Sequence, residues 1–152
     1  MVQGMRSKRS PTRLSGCFSL SGLFWKWATF AGRNAEGKLL AVNLVKNLIR
    51  NDNEYSENCL WVDGKLSFLS SAQFKFDEKK PTAPWEIKTS DGRCNLHFVP
   101  QGQRADRINL GLIMSDYCQP YGLWSGRIVD DDGNAHEFKN LFGVTENHLA
   151  RF

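Results

Sequence analysis

Three Asp-Gly dipeptides, Asp63-Gly64, Asp91-Gly92 and Asp132-Gly133, divide this chain into short segments in which apolar and polar residues alternate. An Asp-Gly pair favours the primed two-residue turn of a β-hairpin. Both central positions of that turn need positive φ, which glycine adopts at little steric cost and aspartate tolerates. A period of two in the flanking residues is that of a strand with one face buried. Cys94, Leu96 and Phe98 alternate with Arg93, Asn95 and His97, and Trp85 and Ile87 alternate with Glu86 and Lys88. Ile108, Leu110 and Leu112 are expected to line one side against Asn109 and Gly111.

The same punctuation predicts strands over Leu23–Ala31, Lys38–Val45, Cys59–Val62, Lys65–Leu69, Gln73–Phe76, Trp85–Thr89, Arg93–Val99, Arg107–Asp116, Tyr121–Val129 and Ala135–Lys139. The long pair Arg107–Asp116 and Tyr121–Val129 is expected to turn through Gln119-Pro120. Asn47–Ser56 and Asp77–Pro84 read as polar loops, and Leu141–Phe152 has the spacing of a short helix or irregular cap. Many short strands with almost no helix imply an all-β antiparallel meander, sandwich or barrel. A closed or nearly closed barrel is favoured because closure removes exposed strand edges.

Composition narrows the partners. Of 20 basic residues, Arg6, Lys8, Arg9 and Arg13 fall in the first 14, leaving 16 basic against 16 acidic residues in the remainder. Residues 1–20 therefore read as an unstructured basic tail, and residues 21–152 as a single β domain with no basic face for nucleic acid. No apolar run approaches the roughly 18 residues of a membrane-spanning helix. Arg6–Arg13 followed by Leu14–Trp25 mimics a signal peptide, but Lys26 interrupts the apolar run and no A-x-A site follows. Cys17, Cys59, Cys94 and Cys118 form no C-x-x-C pair, so they read as reduced, mostly buried thiols of a cytoplasmic protein. His97, His136 and His148 do not form a ligand set by spacing, so no metal and no cofactor is expected. His97 should be solvated, and His148 should pair with Glu146 to pin the C-terminal cap.

Several residues are candidates for a site, each with a plain structural reading beside it. Trp25 and Trp27 share one strand face with Lys26 opposite, which suits either core packing or the aromatic wall of an apolar pocket. Asn43 lies mid-strand and, if it faces inward, needs a partner. Glu57 and Asn58 end a polar loop; a carboxylate there could serve as a general base, and Asn58 could hold the loop by bonding its backbone. Asp116, Tyr117 and Gln119 lie in a polar stretch that either caps a turn or orients a ligand at one barrel mouth.

The strings Phe24-Trp-Lys-Trp-Ala28, Ala41-Val-Asn-Leu44, Ser56-Glu-Asn-Cys-Leu-Trp-Val-Asp-Gly64 and Ala83-Pro-Trp-Glu-Ile87 occur here in a fixed order. They are followed by Asp91-Gly-Arg93, Leu110-Gly-Leu112, Ser115-Asp-Tyr-Cys-Gln-Pro-Tyr-Gly122, Ser125-Gly126 and Gly143-Val-Thr-Glu-Asn-His148. From Phe24 to Phe152 the set resembles the bacterial domain-of-unknown-function family DUF 2804. The resemblance implies the C-terminal half of a longer two-domain protein and, more distantly, a lipocalin-like (calycin) barrel or half-barrel. It brings in carotenoid hydratases only by fold analogy. Those carry a His in the first strand region, and none occurs between Gly22 and Ala31.

These readings converge on a β-barrel-like protein that binds a hydrophobic or lipid-like molecule, with Trp25, Trp27, Asn43, Asn58, Tyr117 and Gln119 as candidate ligand residues. Two alternatives stay open. One is a lyase or isomerase on an apolar substrate, hydratase-like, with Glu57 or Asp116 as acid–base. The other is a structural domain packed on a partner half or a second copy, which predicts a filled core and an apolar outer patch.

Overall fold

The structure, a computed structural model, describes residues 23–47, 57–110 and 114–151. The basic tail, Cys17, Leu112 and most of the Asn47–Ser56 loop lie outside these residues. Nine antiparallel strands form one sheet: β1 Leu23–Arg33, β2 Leu39–Asn47, β3 Cys59–Val62, β4 Lys65–Phe68, β5 Ala72–Lys75, β6 Trp85–Thr89, β7 Cys94–Asn109, β8 Met114–Val129 and β9 Ala135–Arg151. Their order across the sheet is β4-β3-β2-β1-β9-β8-β7-β6-β5. The edge strands β4 and β5 are thus neighbours in the chain, separated only by residues 69–71. Such a link spans roughly 14 Å at full extension, so the sheet curls into a half-barrel that brings its edges together. No helix occurs among the described residues, hence none long and apolar enough to cross a membrane.

All three Asp-Gly dipeptides turn the chain between paired strands, but only Asp63-Gly64 forms the two-residue primed turn. Asp91 and Asp132 stay out of positive φ, and their longer turns close through Gly92 N to the Thr89 carbonyl and Gly133 N to the Asp130 carbonyl. Asp63 and Gly64 both adopt positive φ, 49° and 85°, and Gly92 and Gly133 do the same at 71° and 82°. The predicted alternation holds in β6 and β7, where Trp85, Ile87, Cys94, Leu96 and Phe98 are buried and the residues between them exposed. These side chains meet Ala28, Phe30, Leu40, Val42, Leu44, Leu60, Trp124, Ile128 and Phe138 in one core on the inner face. An aromatic chain runs through it: Trp85 lies 6.5 Å from Phe98, Phe98 4.7 Å from Trp124, Trp124 5.5 Å from Phe30, and Phe30 4.7 Å from Phe138. Burial pushes the Cys94 thiol up to about 12, which keeps it protonated and inert.

Three expectations are corrected. Arg107–Asp116 is not a strand: β7 continues to Asn109 and β8 begins at Met114, so Gln119-Pro120 lies inside β8 and makes no turn. Ile108 and Leu110 are exposed, 47% and 73%, and line no core. Leu141–Phe152 is neither helix nor cap, because β9 continues unbroken to Arg151. Within β9 the inward residues change from His136 and Phe138 to Leu141, Gly143 and Thr145. The change occurs where Asn140 takes φ 60° opposite a register shift between Trp124 and Gly126. An extra residue in a period-two element moves everything after it to the other face.

Candidate functional site

The turns at Asp63-Gly64, Asp91-Gly92 and Asp132-Gly133 gather at one end of the half-barrel. At the opposite, open end, β1, β9, β8 and β7 run on beyond the aromatic core. The register sets out what each face presents there. On the inner face one cross-strand row reads Phe24, Leu149, Asp116, Arg107, and the next reads Lys46, Lys26, Asn147, Cys118, Ala105. The packed core thus gives way over two rows to a mixed polar and apolar surface.

The loop between β5 and β6 folds over these rows and completes a cavity of about 520 Å³, lined by Phe24, Glu78, Pro81, Asp116, Cys118, Asn147 and Leu149. This is the volume range of small-molecule sites, where apolar walls surround a few convergent polar groups. Lys26 stands at its edge, with 11% of its side chain exposed. Its ammonium lies 3.2 Å from Glu78 Oε1 and over the Phe24 and Phe76 rings, at 4.8 and 4.5 Å from their centroids. An ammonium held against two ring faces gains cation–π attraction in place of lost water. Phe76 itself stacks on Trp85 at 3.6 Å, tying this corner to the core. Asp116 pairs with Arg107 at 3.7 Å. Cys118 Sγ lies 3.1 Å from Gln103 Oε1, and burial, then the Asp116 charge, pushes its thiol up. Asn147 Oδ1 is buried with no hydrogen-bond partner among the described residues.

The outer face carries a different group. Trp25 Nε1 donates to Glu146 Oε1 at 2.7 Å, and Gln119 Nε2 donates to Glu146 Oε2 at 3.4 Å. The Trp25 ring meets His148 edge-on at 4.0 Å, and Tyr117 lies 5.4 Å from the same imidazole. Burial, then the charge and hydrogen bond of Glu146, pushes the Tyr117 phenol up. His148 Nε2 lies 2.9 Å from Ser115 Oγ, so it pairs with that hydroxyl rather than with Glu146. Alongside, Trp27 Nε1 donates to Asn43 Oδ1 at 2.8 Å, and Asn43 Nδ2 to the Glu57 carbonyl at 3.0 Å.

Residues 15–152 match the sequence profile of a family described as a domain of unknown function, DUF2804. The chain belongs to the DUF2804 family. The match begins at residue 15, earlier than the quoted strings, which start at Phe24. No curated protein and no solved structure matches the chain.

Within this DUF2804 domain the sequence candidates separate into three places. Trp25, Trp27, Asn43, Tyr117 and Gln119 share the outer face, and the structure brings them together there around Glu146 and His148. Asn43 therefore points outward, and Asp116 points to the face opposite Tyr117 and Gln119 because strand neighbours alternate. Asn58 is buried and holds its loop: Oδ1 accepts from Val45 N at 2.6 Å and Nδ2 donates to the Ser70 carbonyl at 3.1 Å. Glu57 is exposed and does not line the cavity. Of all the candidates only Asp116 reaches the cavity. Lys26, Glu78, Asn147 and Leu149 were not apparent as site residues, since they meet only through the β1–β9 register and a loop. The available signal was Lys26 itself, a charged residue on the strand face shared with Ala28 and Phe30.

Proposed function

We propose that this DUF2804 domain binds a small lipid-like molecule in the cavity at the open end of the half-barrel. The observation that carries this reading is the cavity itself, with Phe24, Pro81 and Leu149 as an apolar wall and Asp116 and Asn147 among its polar lining. A few polar groups beside an apolar wall are what orient a small amphiphilic ligand. The filled aromatic core closes the cavity from within, so a ligand enters from the open end and keeps part of its surface there. Such a protein acts as a carrier or sensor of its ligand.

The direct test is native mass spectrometry of the protein purified from its own host, looking for a co-purified small molecule. The binding reading expects a recurrent adduct that Leu149→Gln removes, since Leu149 is 38% exposed and its replacement leaves the core intact. Repeated recovery of empty protein, with no rise in melting temperature in the presence of long-chain alcohols or acids, would count decisively against it.

A second reading is favoured by the chemistry of one wall. Asp116 and Glu78 both line the cavity, and an acid–base lyase or isomerase needs two such groups on one substrate. Turnover of an apolar alkene or alcohol that Asp116→Asn abolishes would select this reading over simple binding.

A further inference from the structure

Resting on the binding reading above, we propose that the ligand is a single-chain anionic amphiphile. Its headgroup sits between Lys26 and Lys46, taking the place of Glu78, and its chain lies along Phe24 and Leu149.

The argument is one of charge balance on the inner face. Lys26 and Lys46 are directly opposite each other across β1 and β2, so both point to this face. Like charges in that arrangement repel and are normally relieved by an anion between or beside them. Glu78 is the carboxylate that meets Lys26, and it comes from a loop with 66% of its side chain exposed. An ion pair with one partner so exposed is weak and exchangeable. The other cavity carboxylate, Asp116, is paired with Arg107. Among the described residues Lys46 forms no ion pair, and Arg151 Nε, two rows further out, is buried without a hydrogen-bond partner. Among the described residues, Lys26, Lys46, Arg107 and Arg151 thus face Glu78 and Asp116, an excess of positive charge beside an apolar wall. Lys26 can also receive an anion with little reorganisation, because the Phe24 and Phe76 rings already fix its ammonium. A carboxylate, sulfate or phosphate monoanion on one alkyl chain fits both halves of this surface.

Calorimetric titration of the full chain with dodecanoate, dodecanol and dodecyltrimethylammonium, below their micellar concentrations, tests the proposal. Dodecanoate is expected to bind about tenfold or more tighter than dodecanol, a difference of one well-placed ion pair. Added salt should weaken only dodecanoate. Lys26→Met should erase the difference between acid and alcohol, and Glu78→Gln should enlarge it by removing the competing carboxylate. Equal binding of dodecanol and dodecanoate, or variants with unchanged dodecanoate affinity and wild-type near-ultraviolet circular dichroism, would overturn the anionic headgroup while leaving the cavity reading intact. Binding of none of the three probes would overturn both. Should Lys26→Met fail to fold, Lys46→Met and Glu78→Gln carry the same test at partly exposed positions.

Discussion

His136 is 2% exposed, with Nε2 2.9 Å from Asp130 Oδ2. The sequence showed only that it follows a turn; its burial comes from the face that β9 holds before Asn140. Asp130 gathers several donors at once: the His136 ring, the backbone N–H groups of Asp132 and Asn134, and the Asn134 amide. The hydrogen bond from His136 comes first, and with the Asn134 donors it holds the Asp130 carboxyl well below the usual carboxylate range. A depressed folded-state value gives stability that is present above the unfolded value near 3.9 and is lost as pH falls through the folded one. Asp130→Asn should therefore lower the melting temperature at pH 6 to 7. The gap to wild type should narrow below about pH 4, where the native carboxylate begins to lose its advantage. Melting curves from pH 3 to 7 check this, and a gap that does not change with pH would refute it.

At the scale of single elements, two glycines fail for different reasons when changed to alanine. Gly64 has φ +85° and open space around it, so Gly64→Ala should cost only backbone strain, about 1–2 kcal/mol. Gly143 lies where β9 crosses β1. An added Cβ would meet the Thr29 carbonyl, the Phe30 Cβ at 2.6 Å and the Trp124 Nε1 at 2.7 Å. Gly143→Ala must push backbone apart and disturb the aromatic chain, and should cost more, on the order of 3 kcal/mol. Urea unfolding of both variants decides the ranking; equal costs would mean that β9 has room to shift. These elements also show what was legible in advance. The Asp63-Gly64 and Asp91-Gly92 hairpins were readable because turn chemistry and alternation are local. The outer half of β7 was not, because residues 103–109 are exposed on both faces and held by pairing with β8. Leu141–Phe152 was not legible as a strand either, because the extra residue at Asn140 reverses which parity faces inward between Phe138 and Leu141. The site was hardest. Trp25 and Trp27 suggested a pocket wall by their size, yet the β1 parity that buries Ala28 and Phe30 places Lys26 on the inner face and both indoles outside.

For the whole molecule, the seam between the sheet edges determines whether the curl persists. Residues 69–71 join β4 to β5, and each is pinned from elsewhere. Leu69 N donates to the Asn58 carbonyl at 2.9 Å, Ser70 N to Asp91 Oδ2 at 2.8 Å, and Ser90 N to the Ser71 carbonyl at 2.9 Å. Arg93 closes the other side of β4: Nη1 donates to the Phe68 carbonyl, Nε to the Val129 carbonyl, both at 2.9 Å, and Nη2 pairs with Asp131 at 2.8 Å. The first Asp-Gly turn after the seam thus supplies both a cap, Asp91, and a clamp, Arg93. Burial works to raise the Asp91 carboxyl, but hydrogen bonds from Thr89, Ser70 and Arg93 outweigh it and leave the group below its ordinary value. Removing the amide in Asn58→Ala deletes the part-buried bonds to Val45 N and the Ser70 carbonyl. The expected cost is about 2 kcal/mol. Hydrogen exchange should locate that cost: amides of β3, β4 and β5 should lose protection first, while those in the centre of β8 and β9 keep theirs. Arg93→Met should loosen β4 in the same way, with β5 less affected, because its carbonyl partner lies on the β4 side. Uniform loss of protection across all nine strands in Asn58→Ala would show instead that the half-barrel opens only as a whole, with no separable seam.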